Sequence, residues 1–190
     1  SEILYLSRCP DVINAQEGFF DVESVWPKLE QALRQAISNL VAMRETEGSN
    51  IYGDFIKRAD LIAEKLAVIE ERSPQVVEEY QIRLSDRINE LLAKHNQVIE
   101  PERLLQEVAI FADRTSITEE IVRLKSHIKQ FKLIIDADQP VGRKLDFLIQ
   151  EFNREANTIA SKANDYTLAQ VVVEIKAEIE KIREQIQNIE

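Results

Sequence analysis

The feature that most constrains the fold is the spacing of apolar residues near the C-terminal end of the chain. Seven of them step by 4, 3, 4, 3, 4 and 3 positions, namely Leu168, Val172, Ile175, Ile179, Ile182, Ile186 and Ile189. Steps of three and four keep side chains on one face, so the spacing predicts an α-helix with a heptad seam. Isoleucine at both seam positions favours trimers or tetramers of parallel helices, but such a seam also packs inside a single chain's bundle. The spacing leaves both uses open.

Similar spacing recurs along most of the chain, and no alternating stretch is long enough to predict a strand. Only four glycines and five prolines occur among 190 residues, and aromatic residues make up 6%. We therefore predict an all-α fold. It consists of a long antiparallel helical hairpin and a C-terminal helical bundle that ends in the heptad-patterned helix.

Helix breakers divide the chain into three predicted segments. Residues 1–47 are an irregular stretch followed by a helix, and Gly48 is the expected stop. Residues 48–115 contain the hairpin, with its turn at Ser73 and Pro74, and then a short helix. Residues 116–190 form a C-terminal helical domain.

Smaller patterns predict where individual helices begin. Pro101 is expected to start the short helix after a loop at residues 95–100. Ser116 and Glu119 have the spacing of a capping box. Asn164 or Asp165 is expected to cap the last helix.

The net charge of the chain argues against a nucleic-acid-binding protein that is basic overall. It is −10, of which −8 lies in residues 1–117 and −2 in residues 118–190. An anionic ligand would therefore need a local basic patch. Cys9 is the only cysteine, which excludes an internal disulfide and favours a reducing compartment. With no long apolar run and no signal peptide, we expect a cytoplasmic protein without membrane attachment.

A helix predicted over residues 142–165 carries a second, polar stripe beside its apolar one. Arg143, Asp146, Gln150, Asn153 and Asn157 step by 3, 4, 3 and 4. Asparagine is a mediocre helix former, so stability alone does not explain the amides. Amides offer donors and acceptors to a polar ligand, or to a neighbouring helix.

The same helix opens with two cations, Arg143 and Lys144. Cations are unfavourable at a helix N-terminus, and a phosphate would relieve that conflict. Alternatively, Asp146 and Glu151 pair with these cations.

The preceding helix places Glu120, Arg123, His127 and Gln130 on one face at steps of 3, 4 and 3. A histidine beside carboxylates can be a proton shuttle or a metal ligand. A lone histidine is more often a surface or capping residue.

Several long motifs resemble a known family. They are EEIVRLKSH at 119–127, PVGRKLDFL at 140–148, QEFNREANT at 150–158, SKAND at 161–165, KIREQIQNIE at 181–190 and MRETEG at 43–48. They closely resemble the C-terminal region of the YicC/YloC family, and the resemblance covers residues 40–190 well and the first forty residues loosely.

The resemblance implies a bacterial cytoplasmic endoribonuclease that depends on a divalent metal and assembles as a hexamer. The family also begins with an α/β-type domain that has MTGYGR-like and RSVNHR-like segments. Neither segment is in this chain, which also does not begin with methionine. We therefore expect a fragment that lacks the N-terminal domain and is inactive by itself if that domain supplies catalytic groups.

This resemblance and the polar patterns together suggest roles for individual side chains. The expected catalytic residues are His127, Asp146, Glu151 and Glu155. The expected ligands of Mn²⁺ or Mg²⁺ are Asp146, Glu155 and Asp165, since these ions favour oxygen ligands. The expected RNA contacts are Arg123, Arg143, Lys144, Gln150, Asn153, Arg154, Asn157, Lys162 and Asn164.

Three functions remain in competition on the residues alone. The first is hydrolysis of single-stranded or hairpin RNA within the cavity of a trimer or hexamer, where cations from several chains add up. The second is a helical adaptor that binds RNA and hands it to other ribonucleases without cutting it. The third is a purely structural bundle. The family resemblance favours the first.

Overall fold

The computed structural model of the chain describes residues 5, 22–93, 100–137, 139–187 and 189. Within these residues it forms five helices: α1 Val22–Ala93, α2 Pro101–Arg114, α3 Thr118–Ile135, α4 Gly142–Lys162 and α5 Tyr166–Ile186. The prediction of an all-α fold is confirmed. Our expectations for residues 1–20 and for most of the loop at 95–100 fall outside the described residues. Among the described helices, none has the length and apolar character needed to span a membrane.

The chain divides into two compact units, Ser1–Gly48 and Ser49–Glu190. In the first unit, residues 22–48 are helical, as the spacing of apolar residues predicts. Its apolar side chains are nevertheless largely exposed, including Trp26, Leu29, Leu33, Ile37, Leu40 and Met43. Periodicity thus identified the helix and its apolar face, but within this unit the face is not covered.

The core of the second unit lies where α4 packs against both α3 and α5. Helix α1 adds a stripe of buried side chains at helical spacing, namely Phe55, Ala59, Ile62, Leu66, Ile69 and Val76. The rings of Phe55 in α1 and Phe131 in α3 meet edge to face with centroids 5.5 Å apart. The apolar stripe predicted for α4 is buried throughout. Burial of such stripes is the main favourable contribution to the folding of a bundle.

Ion pairs at the edges of the core show the directions of the helices. Lys132 and Lys125 of α3 pair with Asp60 and Glu70 of α1, so the two helices are antiparallel. Arg58 and Lys65 of α1 likewise pair with Glu178 and Glu174 of α5, in reverse order along α5. Helices α3 and α5 therefore run in the same direction, opposite to α1.

The heptad seam of α5 is used inside the chain. Its first six residues, from Leu168 to Ile186, are buried, and Ile189 packs partly buried against the same core. Of the two uses that the spacing left open, the structure shows the intramolecular one. The seam thus gives no separate support for oligomerisation.

The predicted hairpin with its turn at Ser73 and Pro74 is not present, because α1 continues through both residues and also through Gly48. A proline inside a helix removes one hydrogen bond and costs about 3 kcal/mol. Ile69 and Val76 are both buried, and this holds the helix in register on either side of the proline. Arg72, which precedes the proline, also pairs with Glu79, which follows it. Tertiary contacts thus outweigh the local preference for a turn.

The predicted helix starts are met at two of three places. Helix α2 begins at Pro101, and Asp165 caps α5 by accepting a hydrogen bond from the Leu168 N–H. The prediction of a capping box at Ser116 is wrong: α3 begins at Thr118 after Ile117 and has no side-chain cap. Ile117 is almost completely buried, so apolar packing determines where this helix begins.

Candidate functional site

The candidate site lies between α3 and α4. Contacts join early residues of α3 to late residues of α4, as in the Lys162–Glu120 pair at 2.9 Å. The two helices are therefore antiparallel, and the polar face predicted for α3 lies against α4. This packing brings His127 together with Glu151 and Glu155, which are more than twenty residues away in the sequence.

His127, Glu151 and Glu155 each direct one potential ligand atom into a common space. One ring nitrogen and two carboxylate oxygens lie within 4.8 Å of one another. The two glutamates are one helical turn apart on α4, so both can face the same point on α3. Three protein ligands leave positions open for water or a substrate, as in catalytic metal sites.

The burial of these groups is compatible with a cationic ligand. Glu155 is only 3% exposed, and its ion pair with Arg123 is long, at 3.9 Å. The Nδ1 atom of His127 is buried and has no hydrogen-bond partner in the part of the chain that the structure describes. Burying a carboxylate without close compensation is costly, and a divalent cation would provide the compensation. A mixed nitrogen and oxygen donor set fits Mn²⁺ better than Mg²⁺, which prefers oxygen alone.

Two arginines flank this cluster, one from each helix. Arg123 of α3 approaches Glu155 and is held at 2.8 Å by the exposed carboxylate of Glu119. Arg154 of α4 lies 3.5 Å from Glu151 and is mostly exposed. Both guanidinium groups therefore border the carboxylates while remaining accessible to an anion from solvent.

Glu120 lies on the polar face that the sequence predicted for α3, but it was assigned no role there. It is buried, one of its oxygens accepts from Lys162 at 2.9 Å, and the other has no hydrogen-bond partner among the described residues. Burial raises the pKa of this carboxyl, but Lys162, its own backbone N–H and Arg123 together hold it below the ordinary value. Its place on the face of Arg123 and His127 was visible in the sequence, whereas its burial was not.

Gln150, Asn153 and Asn157 lie on α4, on the flank opposite Glu151 and Glu155 by the helical repeat, and Asn164 follows the helix. Gln150, Asn157 and Asn164 are exposed or partly exposed, and Asn153 is half-buried. The Gln150 amide donates to Asp146 at 2.9 Å. Asp146 therefore has a hydrogen-bond partner within the polar stripe, and it does not belong to the cluster of His127, Glu151 and Glu155.

Arg143 and Lys144 open α4 and line a cleft with Pro140, Gly142, Ile186 and Ile189. No ion pair involves either cation within the part of the chain that the structure describes, so the alternative of pairing with Asp146 and Glu151 is not realised. They belong to the first turn of α4, whereas His127 packs near its middle. If they bind RNA, they contact a part of the strand away from the cluster.

Asp165, the third expected metal ligand, lies elsewhere. It caps α5 through Leu168 and accepts from Arg72 of α1 at 2.9 Å. Arg72 holds the pKa of this carboxyl below its ordinary value against the effect of burial, and the Leu168 N–H lowers it further. Of the expected ligands Asp146, Glu155 and Asp165, only Glu155 is in the cluster, and His127 and Glu151 complete it.

The fold and the cluster define an all-α protein with a compact three-ligand site between two packed helices of its bundle. A family model described as "Endoribonuclease YicC-like, C-terminal" matches residues 69–190, and one described as "Endoribonuclease YicC-like, N-terminal region" matches residues 2–53. The chain belongs to the YicC-like endoribonuclease family.

Two curated relatives show the extent of the match. A probable endoribonuclease YicC from Clostridioides difficile is 48% identical over 99% of this chain, and one from Haemophilus influenzae is 37% identical over 96%. These alignments cover 64% and 62% of the relatives, so the chain spans less than two thirds of their length. The expectation that the N-terminal family domain is missing is not borne out, because residues 2–53 match the N-terminal region.

Proposed function

We propose that this protein is a metal-dependent endoribonuclease whose reaction takes place at His127, Glu151 and Glu155. The observation that carries the proposal is the convergence of three ligand atoms within 4.8 Å around a buried carboxylate. The names of the relatives, probable endoribonucleases, supply the reaction class. The substrate is single-stranded or hairpin RNA, whose accessible bases suit the amides along α4.

In this proposal the chain's own groups bind and orient the RNA. His127, Glu151 and Glu155 hold Mn²⁺ or Mg²⁺, with Mn²⁺ the better fit to the imidazole nitrogen. The bound ion would polarise a phosphoryl oxygen and favour deprotonation of the attacking water. Arg123 and Arg154 hold non-bridging phosphate oxygens, and Gln150, Asn153 and Asn157 contact neighbouring nucleotides. Water adds across one P–O bond, that bond breaks, and the departing ribose oxygen takes up a proton.

We also propose that the protein acts in the cytoplasm as a homo-oligomer, a trimer or a hexamer, in which several sites share one cavity. The family resemblance supports the hexamer. The exposed apolar residues from Trp26 to Met43 support association, because monomers rarely expose long apolar stripes. Other ribonucleases are proposed partners only in the adaptor alternative.

The test compares two variants of α4. The chain is incubated with a labelled RNA hairpin in Mn²⁺ or in chelator, as the parent, as Glu155→Gln and as Asp146→Asn. We expect Mn²⁺-dependent cutting by the parent, a loss of about 100-fold or more in Glu155→Gln, and near-parent rates in Asp146→Asn, because only Glu155 belongs to the cluster. Cutting by Glu155→Gln at the parent rate would refute this assignment of the site.

A second outcome would favour the adaptor. If the parent binds the hairpin with salt-dependent affinity but cuts it neither with Mn²⁺ nor with Mg²⁺, the function is binding without hydrolysis. The amides and arginines of α4 would then matter while the cluster would not.

A further inference from the structure

Each of the two cluster carboxylates has an arginine near it. Glu151 and Glu155 contribute two negative charges, and Arg154 and Arg123, at 3.5 Å and 3.9 Å from them, contribute two positive ones. Each arginine comes from a different helix, so the pairs bracket the cluster on two sides. Glu119 adds a third carboxylate 2.8 Å from Arg123, so without a cation the carboxylates outnumber the arginines and repel a phosphate.

A divalent cation on the two carboxylates would change this balance. The four side chains and the ion would then carry a net charge of +2, which the exposed Glu119 beside Arg123 lowers to +1. Glu151 and Glu155 would be engaged, and neither arginine would keep its carboxylate partner within the cluster. Both guanidinium groups are substantially exposed, with 52% and 69% of their side-chain surface accessible, so an anion can reach them without rearrangement of the core.

We propose that Arg123 and Arg154 link metal binding to RNA binding. Without the cation, they serve as counterions of the ligand carboxylates. With the carboxylates engaged, they become the phosphate receptor. Thermodynamic linkage then requires RNA to strengthen metal binding by the same factor as the metal strengthens RNA binding. This coupling rests on the metal site of the proposed function and adds to it the groups that transmit metal occupancy to the RNA.

Glu119 has a supporting part in this arrangement. It accepts from Arg123 at 2.8 Å and is 78% exposed, so it holds the guanidinium beside Glu155 without withdrawing it from solvent. Arg123 therefore keeps its position when Glu155 binds the cation, and its guanidinium N–H donors are already oriented for a phosphate.

The test measures RNA affinity rather than cleavage. Binding of a short labelled 2′-O-methyl RNA, which resists cutting, is titrated by fluorescence anisotropy in Mn²⁺ and in chelator. We expect Mn²⁺ to tighten binding to the parent chain by about tenfold, within the usual range for coupled sites. In the double variant Arg123→Gln and Arg154→Gln, this enhancement should fall below about twofold.

Two controls identify the cause. Calorimetric titration should show that the double variant binds Mn²⁺ at least as tightly as the parent, since it lacks two competing cations; this also shows that the site is folded. The matched variant Arg143→Gln and Lys144→Gln removes two cations from the first turn of α4, outside the cluster. It should weaken RNA binding equally in Mn²⁺ and in chelator, and keep the full enhancement.

The outcomes separate this inference from the proposed function. An undiminished enhancement in the Arg123 and Arg154 double variant overturns the coupling while leaving cleavage at the cluster intact. If the double variant loses the enhancement but keeps its affinity for Mn²⁺, the coupling is supported, even if the chain cuts no RNA. Absence of Mn²⁺ binding by the parent overturns both.

Discussion

At the scale of single residues, two shielded carboxylates of the second unit differ in how closely they are paired. Asp165 and Glu155 are both well shielded from solvent. Asp165 accepts from Arg72 and from the Leu168 N–H at 2.9 Å each. Among the described residues, the ion pair of Glu155 is a long one, with Arg123 at 3.9 Å. The closely paired carboxylate stabilises the fold, whereas the loosely paired one has capacity left for a ligand.

The role of Asp165 predicts a dependence of stability on pH. Arg72, and to a smaller extent the Leu168 N–H, keep its pKa below the ordinary value of 3.8. A depressed pKa stabilises the fold above the unfolded value, and this contribution is lost as the pH falls through the folded value. Asp165→Asn retains a capping oxygen but cannot titrate. At neutral pH it should lower the free energy of unfolding by about 1–2 kcal/mol.

Urea unfolding at several pH values checks this prediction. The difference between parent and Asp165→Asn should shrink as the pH falls through the lowered pKa of Asp165, because the parent's carboxylate is then being protonated. A difference that stays constant with pH would mean that the ion pair with Arg72 contributes nothing to stability.

At the scale of elements, α1 shows that helix breakers act only when packing permits. Pro74 and Gly48 both lie inside this helix. Proline costs a hydrogen bond and glycine costs backbone entropy, yet neither ends the helix. The buried stripe from Phe55 to Val76 contacts the bundle on both sides of Ser73, so a turn there would expose apolar surface. The free energy gained by burying this stripe exceeds the local cost of the proline.

The continuous helix predicts that Pro74→Ala stabilises the protein. Alanine restores the missing N–H, and Pro74 is outside the buried core, so little packing is lost. The free energy of unfolding should rise by about 1–3 kcal/mol. Gly53→Ala is the matched control, because a methyl group there meets nothing within 4 Å, and it should add about 1 kcal/mol.

Thermal unfolding followed by circular dichroism measures both variants. If Pro74→Ala destabilised the protein while Gly53→Ala stabilised it, residues 73 and 74 would form a turn, as in the predicted hairpin.

At the scale of the whole molecule, the proposed metal binding would be linked to stability. A cation that binds the folded chain at His127, Glu151 and Glu155 cannot find these residues assembled in the unfolded chain. Folding then gains RT ln(1 + [L]/Kd), about 2.7 kcal/mol at a hundredfold excess over Kd. The net charge of −10 does not oppose this binding, because it also attracts cations to the chain.

We therefore expect Mn²⁺ to raise the melting temperature of the parent in proportion to the logarithm of its concentration. Glu155→Gln should lose this rise, and its melting temperature in chelator should equal or exceed that of the parent, since an uncompensated buried charge is removed. Scanning calorimetry over a series of Mn²⁺ concentrations measures both effects. An equal rise in both proteins would place the bound ion away from Glu155.

Much of this organisation follows from the sequence alone. The stripes of α4 and α5 step by three and four, and such spacing on a helix leaves one face to be buried. The starts at Pro101 and Asp165 follow from local chemistry, because proline suits the first helical turn and aspartate accepts from the free N–H groups. Helices, their inner faces and these caps depend on neighbours within a few residues.

Tertiary structure decided what depends on distant residues. His127 meets Glu151 and Glu155 only because α3 packs antiparallel to α4, and spacing within one helix does not show which carboxylates will face a histidine on another. The passage of α1 through Pro74 and the start of α3 after Ile117 likewise depend on burial against other helices. Hydrophobic burial and the desolvation of charge act over the whole packed molecule, so they can override local preferences and determine which carboxylates become a site.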